Sequence, residues 1–455
     1  MTRPRATAVF DIGKTTAKLV CFDGNGNVLW QAAKANVALA GPPYAHVDSA
    51  GLQDFLQHGL RKAASVCDIA IIVVTTHGAA GALVNEHGLV LPIMDYEWSG
   101  PPNTLDDYES HRPAYAQSFS PSLPQGLNLG RQLFWQNRLF PQAFGAARQF
   151  LTYPQYWGWW LTGVAASEVT SLGCHTDLWE PLTAQPSKLA LSLGLAAKIP
   201  PLRRAWETLG ILRSDVANAA GLSHDVEVKV GIHDSNASLL PHLARQKRPF
   251  CLLSTGTWVI ALHVGGDLAR LDPQADMLAN VAADGHAIAC ARFMGGREYE
   301  TLLAGETMAP NLADIGELVA SGTKAFPAFS PMGGPYATRD GRIIGPLVPE
   351  NRAALATLYC ALMCDDMLTR LDVRGDVIID GNFSTNPAFP ALLAQLRPSN
   401  RVSTALAIGT TAGAAALATW PQVAVGTPPV EAAPSRIEGL EDYRQRWHRA
   451  LLHPR

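Results

Sequence analysis

The sequence predicts an α/β protein made of two duplicated halves, and three observations carry that prediction. An apolar strand that runs into a Thr- and Gly-containing turn and out into a second strand occurs twice, at residues 8–22 and 250–264. Each half also holds a short unbroken apolar run, residues 70–74 and 377–379, of the kind that lies in a sheet covered on both faces. Finally, 455 residues exceed what one core serves. The boundary falls at Arg245-Gln246-Lys247-Arg248-Pro249, a basic stretch ending in proline, giving domains of residues 1–246 and 247–455.

Composition excludes several classes. Hydrophobic residues make up 47% and charged residues 16% of the chain, against roughly a quarter charged in ordinary globular proteins. Large buried sheets absorb such an excess. A net charge of −3 gives no general attraction to nucleic acid or to an anionic membrane, so an anionic ligand must be held by local groups. Residues 1–7 contain no signal-peptide core, and the weakly polar stretches 69–84 and 405–420 lack the apolar length of a membrane helix. Seven scattered cysteines make no disulfide framework, and Cys360 and Cys364 have no partners for a zinc site. A cytoplasmic protein with reduced thiols in its core is expected.

Taken in order, residues 8–12 read as a buried strand, 13–16 as a turn and 17–22 as a second strand. A hairpin turn needs a glycine, but not two threonine hydroxyls, a lysine and a preceding carboxylate. Asp11, Gly13, Lys14, Thr15 and Thr16 can cradle phosphate oxygens and hold Mg²⁺ through water; an ordinary hairpin is the alternative. The strand at 70–74 ends at Thr75-Thr76-His77-Gly78, and ligands of open α/β sheets sit beyond such carboxyl ends. Asp95, Glu97 and Trp98 suit a small polyol, carboxylates for its hydroxyls and a ring for its face. The alternatives are a core histidine at position 77 and a solvated loop at 95–98. Residues 150–163, with Trp157, Trp159 and Trp160, read as an apolar core helix.

Residues 227–237 alternate charged and β-branched residues and then open a helix, which leaves Asp234 on the turn between them. It is either an N-cap or an ionised acceptor held in a cleft, able to take a proton from a hydroxyl. Thr255-Gly256-Thr257 repeats the first turn, and two such turns suggest domains that face each other across a nucleotide. Residues 352–371 carry apolar side chains at helical spacing and read as a packing helix. Residues 376–387 read as a buried strand, a polar turn and the start of a helix. Gly381 allows close backbone approach there, and Asn382, Ser384 and Asn386 can line an adenosine, unless Asn386 is a helix cap. Residues 407–416 open a helix of small residues, against which a ligand or a sheet can lie. A Pro-rich loop, 426–434, precedes a polar terminal helix.

These motifs, in this order, resemble the FGGY carbohydrate kinase family. Residues 11–18 are similar to its first phosphate motif, with Lys14 where many members carry Thr or Gly. Residues 132–135 and 151–163 resemble its mid-domain segments, with Gln132 for a usual Lys. Gly231-Ile232-His233-Asp234 resembles the segment of the catalytic aspartate, and residues 254–258 the second phosphate motif. Residues 381–387 resemble the adenosine motif, two of its three usual glycines having become Asn382 and Phe383.

The resemblance implies two actin-like, ribonuclease-H-like ATPase domains with an interdomain cleft, the first for the sugar and the second for adenosine. It implies ATP phosphates at Asp11, Gly13, Lys14, Thr15, Thr16 and Lys18 and at Thr255, Gly256 and Thr257, with adenosine at Gly381, Asn382, Asn386 and Gly409. Asp11 would hold Mg²⁺ through water, and Asp234 would be the general base. The sugar would meet His77, Gly78, Asp95, Glu97, Trp98, His233 and Asp234. The His-Asp pair and the Gly-Thr-Trp are most similar to the rhamnulokinase and fuculokinase side, which implies a ketose or deoxy-ketose; a homodimer is compatible. Two other readings of the phosphate turns stay open. One is an actin- or chaperone-like ATPase without sugar transfer, the other a non-catalytic sugar-binding protein on a kinase scaffold.

Overall fold

Strand β1 (Arg5–Ile12) forms because its side chains have two apolar faces to fill. Ala8, Phe10 and Ile12 enter one hydrophobic cluster and Val9 another, and all four are fully buried. Each large side chain of this kind contributes about 1.5–3 kcal/mol by leaving water. The computed structural model describes residues 3–101, 105–405, 409–422 and 428–452. The chain divides into two compact units. The first comprises Met1–Arg245, Ala279–Ala287 and Gly409–Gly426; the second comprises Gln246–Leu278, Ile288–Ile408 and Thr427–Arg455.

In the first unit, β2 (Thr16–Phe22) returns antiparallel to β1, and β3 (Val28–Ala35) returns antiparallel to β2. On the other side β4 (Asp68–Thr76) runs parallel to β1, with Asp11 beside Thr75 and Ile12 beside Thr76. Beyond β4, β5 (Thr208–Ile211) pairs antiparallel with β6 (Glu227–Lys229), and both β6 and the short β7 (Ile232–His233) run parallel to β4. Helices Ser49–Ala63 and Tyr153–Thr162 set Leu56, Leu60 and Trp157 on the face of Phe10, Ile72 and Val74. Helices Asp234–Arg245 and Gly409–Ala415 cover Val9, Val73 and Ile232 with Ala237, Leu240 and Ala414. That two-sided cover explains the unbroken Ile/Val run of β4. Of the three tryptophans in the apolar helix, Trp157 is fully buried, while Trp159 and Trp160 pack at the margin of the cluster.

The single strand expected over residues 227–233 is broken. Val228 lies beside Ile72 but Ile232 beside Thr75, so four steps on one strand match three on the other, and a bulge results. Gly231 makes the break with φ +87°, where a Cβ would stand 2.7 Å from the Val74 carbonyl oxygen. The amide of Gln155 donates to the freed carbonyls of Val230 and Gly231 at 3.1 and 3.3 Å. The kink re-aims the chain just before Asp234.

The second unit repeats this topology. β8 (Phe250–Thr255) pairs antiparallel with β9 (Val259–Val264), and β9 pairs antiparallel with β10 (Ala287–Phe293). β11 (Asp376–Gly381) runs parallel to β8, with Thr255 beside Gly381. β12 (Val402–Thr404) is parallel to β11, and β13 (Val430–Glu431) closes the edge antiparallel to β12. The packing helix Arg352–Arg370 is buried along most of its length and has Asp365 fully enclosed, 2.6 Å from Arg444 of helix Leu440–Leu452 and 3.4 Å from Arg397. Both halves are therefore α/β, each headed by a hairpin whose first strand has a parallel neighbour.

Gly231→Ala adds a clash to a strained backbone and is expected to cost about 2 kcal/mol or more. Gly163→Ala, at φ +77° with no atom within 4 Å of the added carbon, isolates the backbone cost of about 1 kcal/mol. Urea unfolding midpoints of the two variants should fall in that order.

Candidate active site

Parallel pairing aligns the carboxyl ends of β1, β4 and β7, so Asp11, His77 and Asp234 leave the sheet along one edge. Asp234 opens helix Asp234–Arg245; its Oδ1 accepts the Ser235 N–H at 2.6 Å and lies 3.1 Å from His233 Nε2. An N-cap carboxylate takes the second or third N–H of the helix, and this one takes the first. The Asp234 side chain keeps 31% of its surface open while His233 keeps 5%, so the carboxylate stands at a rim with the imidazole behind it. Gly78 makes room for that imidazole, since a Cβ would lie 2.9 Å from His233 Nε2. His77 is anchored by its N–H to the Ile12 carbonyl and by Nδ1 to the Gly78 carbonyl, at 2.9 and 2.7 Å.

The turn after β1 is tied to the segment at 91–98. Lys14 Nζ bonds the Asp95 carboxylate, lies 3.3 Å from Glu97 Oε2 and sits 4.8 Å over the Tyr96 ring. Asn36 donates to the Gly13 carbonyl at 2.8 Å. A small recess is lined by Lys14, Asn36, His77, Asp95 and Tyr96. Trp98 turns toward an aromatic cluster, its ring centroid 5.6 Å from those of Tyr44 and Trp135. The ring beside Lys14 and His77 is Tyr96. Thr15 is exposed and Thr16 half-buried at the turn. Lys18 is exposed and pairs across the strands with Asp11, on the same face.

The electrostatics of this edge converge. Burial and the nearby Asp234 charge push the Asp11 carboxyl up to about 6, against the opposing pull of the Thr411 hydroxyl bonded to it and of Lys18. Burial also raises Asp234, with His77 opposing. His233 is held down at about 4 by burial and is neutral near pH 7. Two mutually repelling carboxylates, one of them nearly buried, fit a divalent cation held at Asp11. Among the described residues no group of three His, Cys, Asp or Glu could hold a metal, so such an ion would complete its shell with water and phosphate oxygens.

The second unit holds a recess of about 500 Å³ lined by Gly256, Thr257, Gly296, Tyr299, Asn382 and Asn386, among others. Close backbone approach builds it. A Cβ on Gly296 would stand 2.2 Å from the Gly256 carbonyl oxygen, and one on Gly381 (φ +88°) 2.1 Å from that of Thr255. The Thr255 hydroxyl is committed to the fold, donating to the Asp380 carbonyl at 2.6 Å and accepting from Phe383 N–H at 2.9 Å. Thr257 and Asn382 are exposed at the recess. Asn386 receives the N–H groups of Ala388 and Phe389 at 3.0 and 2.9 Å, before helix Phe389–Leu396. Gly409, exposed at φ +61°, begins the helix that lies on the sheet of the first unit; residues 406–408 before it, and 423–427 of the Pro-rich loop, lie outside the described residues.

Several residues around these sites have no signal in the local sequence. Thr411 lies 400 positions from its partner Asp11, which no local pattern reports. Tyr96 lies between Asp95 and Glu97, and the segment's larger ring, Trp98, carries the stronger signal in the sequence. Gly296 and Tyr299 follow β10 in a stretch without a motif.

Residues 6–241 match the FGGY family of carbohydrate kinases, N-terminal domain, and residues 247–427 the carbohydrate kinase FGGY C-terminal domain. A crystal structure of a carbohydrate kinase from Novosphingobium aromaticivorans is 35% identical, with both chains fully covered and a TM-score of 0.91. A ligand-bound xylulose kinase from Lactobacillus acidophilus shares the fold at 16% identity, with 99% of each chain covered and a TM-score of 0.81. An L-fuculokinase from Salmonella typhi is 26% identical over 269 residues; the match spans 57% of this chain and 57% of that relative.

Because the folded protein holds the Asp11 proton more tightly than the unfolded chain, ionising this group costs folding free energy. The cost is absent below about pH 4, grows between about pH 4 and 6 and is complete above. Asp11→Asn should therefore stabilise the protein at pH 7 by on the order of 3 kcal/mol, with the gain gone below about pH 4, in denaturant titrations at both values.

Proposed function

The chain belongs to the FGGY family of carbohydrate kinases, and from that premise we propose that it transfers the terminal phosphoryl group of ATP to a hydroxyl of a ketose or deoxy-ketose in the cytoplasm. One observation carries the reading. Asp234 presents a half-open carboxylate, raised by burial, beside His77 and His233 and at the same sheet edge as Asp11.

In this reading Asp234 accepts the proton of the attacking hydroxyl as its oxygen bonds to the terminal phosphorus and ADP leaves. Phosphoryl transfer passes through a loose transition state, so aim matters more than basicity, and a moderately raised carboxylate suffices. Neutral His233 backs the carboxylate without competing for its charge. His77, Asp95 and Tyr96 meet the sugar, and Lys14 fixes the 91–98 segment against the phosphate turn. Residues 13–16 and the backbone of 256–257 hold phosphate oxygens. The recess around Asn382 and Tyr299 takes the nucleoside. Asp11 would hold a Mg²⁺ ion through water, and the ion would supply charge neutralisation on the phosphates.

A panel of pentuloses, hexuloses, deoxy-ketoses and polyols in a coupled ADP-release assay tests the proposal. At least one ketose should stimulate ADP release, and a chelator should abolish it. An ATPase indifferent to every sugar would point instead to the chaperone-like reading. Asp234→Asn should lower kcat by about 10³-fold or more while calorimetric ATP affinity stays within about threefold; near-normal turnover would reject Asp234 as the base.

A further inference from the structure

The backbone that delivers Asp234 rests on a fully buried carboxylate outside the reacting groups. β7 is only two residues long, and its pairing with β4 serves one side. On its other side the His233 N–H donates to Thr170 Oγ1 at 3.1 Å. The Thr170 hydroxyl in turn donates to Glu168 Oε2, which also accepts the N–H groups of Thr170 and Ser171 at 3.0 and 3.4 Å. Glu168 and Thr170 are fully buried and His233 is 4% exposed. Three donors thus converge on one oxygen, while the other carboxylate oxygen, Oε1, is buried with no hydrogen-bond partner among the described residues.

A threonine hydroxyl both donates and accepts. With its proton committed to Glu168, it can only offer a lone pair to His233. It thereby supplies the acceptor that a further strand would otherwise provide. We propose that Glu168 and Thr170 are positioning residues for Asp234, fixing through the His233 N–H the direction in which the next side chain meets the sugar hydroxyl. The inference rests on the reading of Asp234 as the base. Among the described residues no cation lies within hydrogen-bond range of Glu168; burial raises its carboxyl to about 7, against the pull of its Thr170 and Ser171 hydrogen bonds and of the Arg204 charge, so the site is costly for the fold. The return is a rigid aim at a carboxylate standing half-open at a rim.

The test contrasts shape with hydrogen bonding. Thr170→Val keeps the volume and removes the hydroxyl, whereas Thr170→Ser keeps the hydroxyl and removes a methyl group. If the hydroxyl aims Asp234, Val lowers kcat about tenfold or more, with sugar and ATP KM within about twofold and kcat counted per ATP-binding site, and Ser keeps at least about a third of the wild-type rate. If Thr170 only packs, the order reverses: Val works and Ser suffers, which overturns the proposal. Should the Val protein not fold, Ala against Ser makes the same comparison at matched volume, with Ser the faster variant if the proposal holds and the two alike if it does not. A wild-type protein that phosphorylates no sugar overturns this inference together with its premise. A sugar-active wild type with an equally active Val variant overturns the positioning role alone.

Discussion

Two acids at the carboxyl ends of β1 and β7, the parallel strands on either side of β4, set the terms for the rest of the first unit. Asp11 is nearly buried and Asp234 half-open, and the charge of the second raises the proton affinity of the first. Such a pair is unfavourable by itself, and the surrounding groups are placed to temper it. Thr411 donates to Asp11, Lys18 faces it across the hairpin, and His77 lies near Asp234. Parallel pairing of β1, β4 and β7 imposes this proximity, because Ile12 and His233 both lie beside Thr76 at the carboxyl end of β4.

The two units share a scaffold and use it differently. At the strand ends of the first unit stand Asp11, His77 and Asp234. At the matching ends of the second stand Thr255 and Gly381, where a hydroxyl ties the loop and a missing side chain lets backbones meet. A sheet edge bearing charges suits proton acceptance and cation binding; one made of backbone amides and small residues suits the flat surfaces and phosphates of a nucleotide. Duplicated topology supplies position, and the side chains decide what happens there.

Lys14 shows how a departure from a family pattern acquires a structural meaning. A neutral residue in the turn would leave the Asp95 and Glu97 carboxylates without the ammonium that both now meet. The ammonium bonds Asp95, lies 3.3 Å from Glu97 and sits over Tyr96, which ties the turn to the polar-aromatic segment. Trp98, the more conspicuous ring in the sequence, is drawn into the Tyr44–Trp135 cluster because its area gains more from burial.

The duplicated α/β plan, both hairpin turns, the strand before Asp234 and the helix at 352–370 were legible from sequence alone, since each is a local pattern of apolar period or turn chemistry. The bulge at Gly231, the N–H groups that Asn386 accepts before helix Phe389–Leu396, the engagement of the Thr255 hydroxyl and the Glu168–Thr170–His233 chain were decided only by the tertiary structure. Hydrogen bonds between residues tens or hundreds of positions apart leave no periodic trace, and a polar side chain's partner depends on which backbone the fold brings past it.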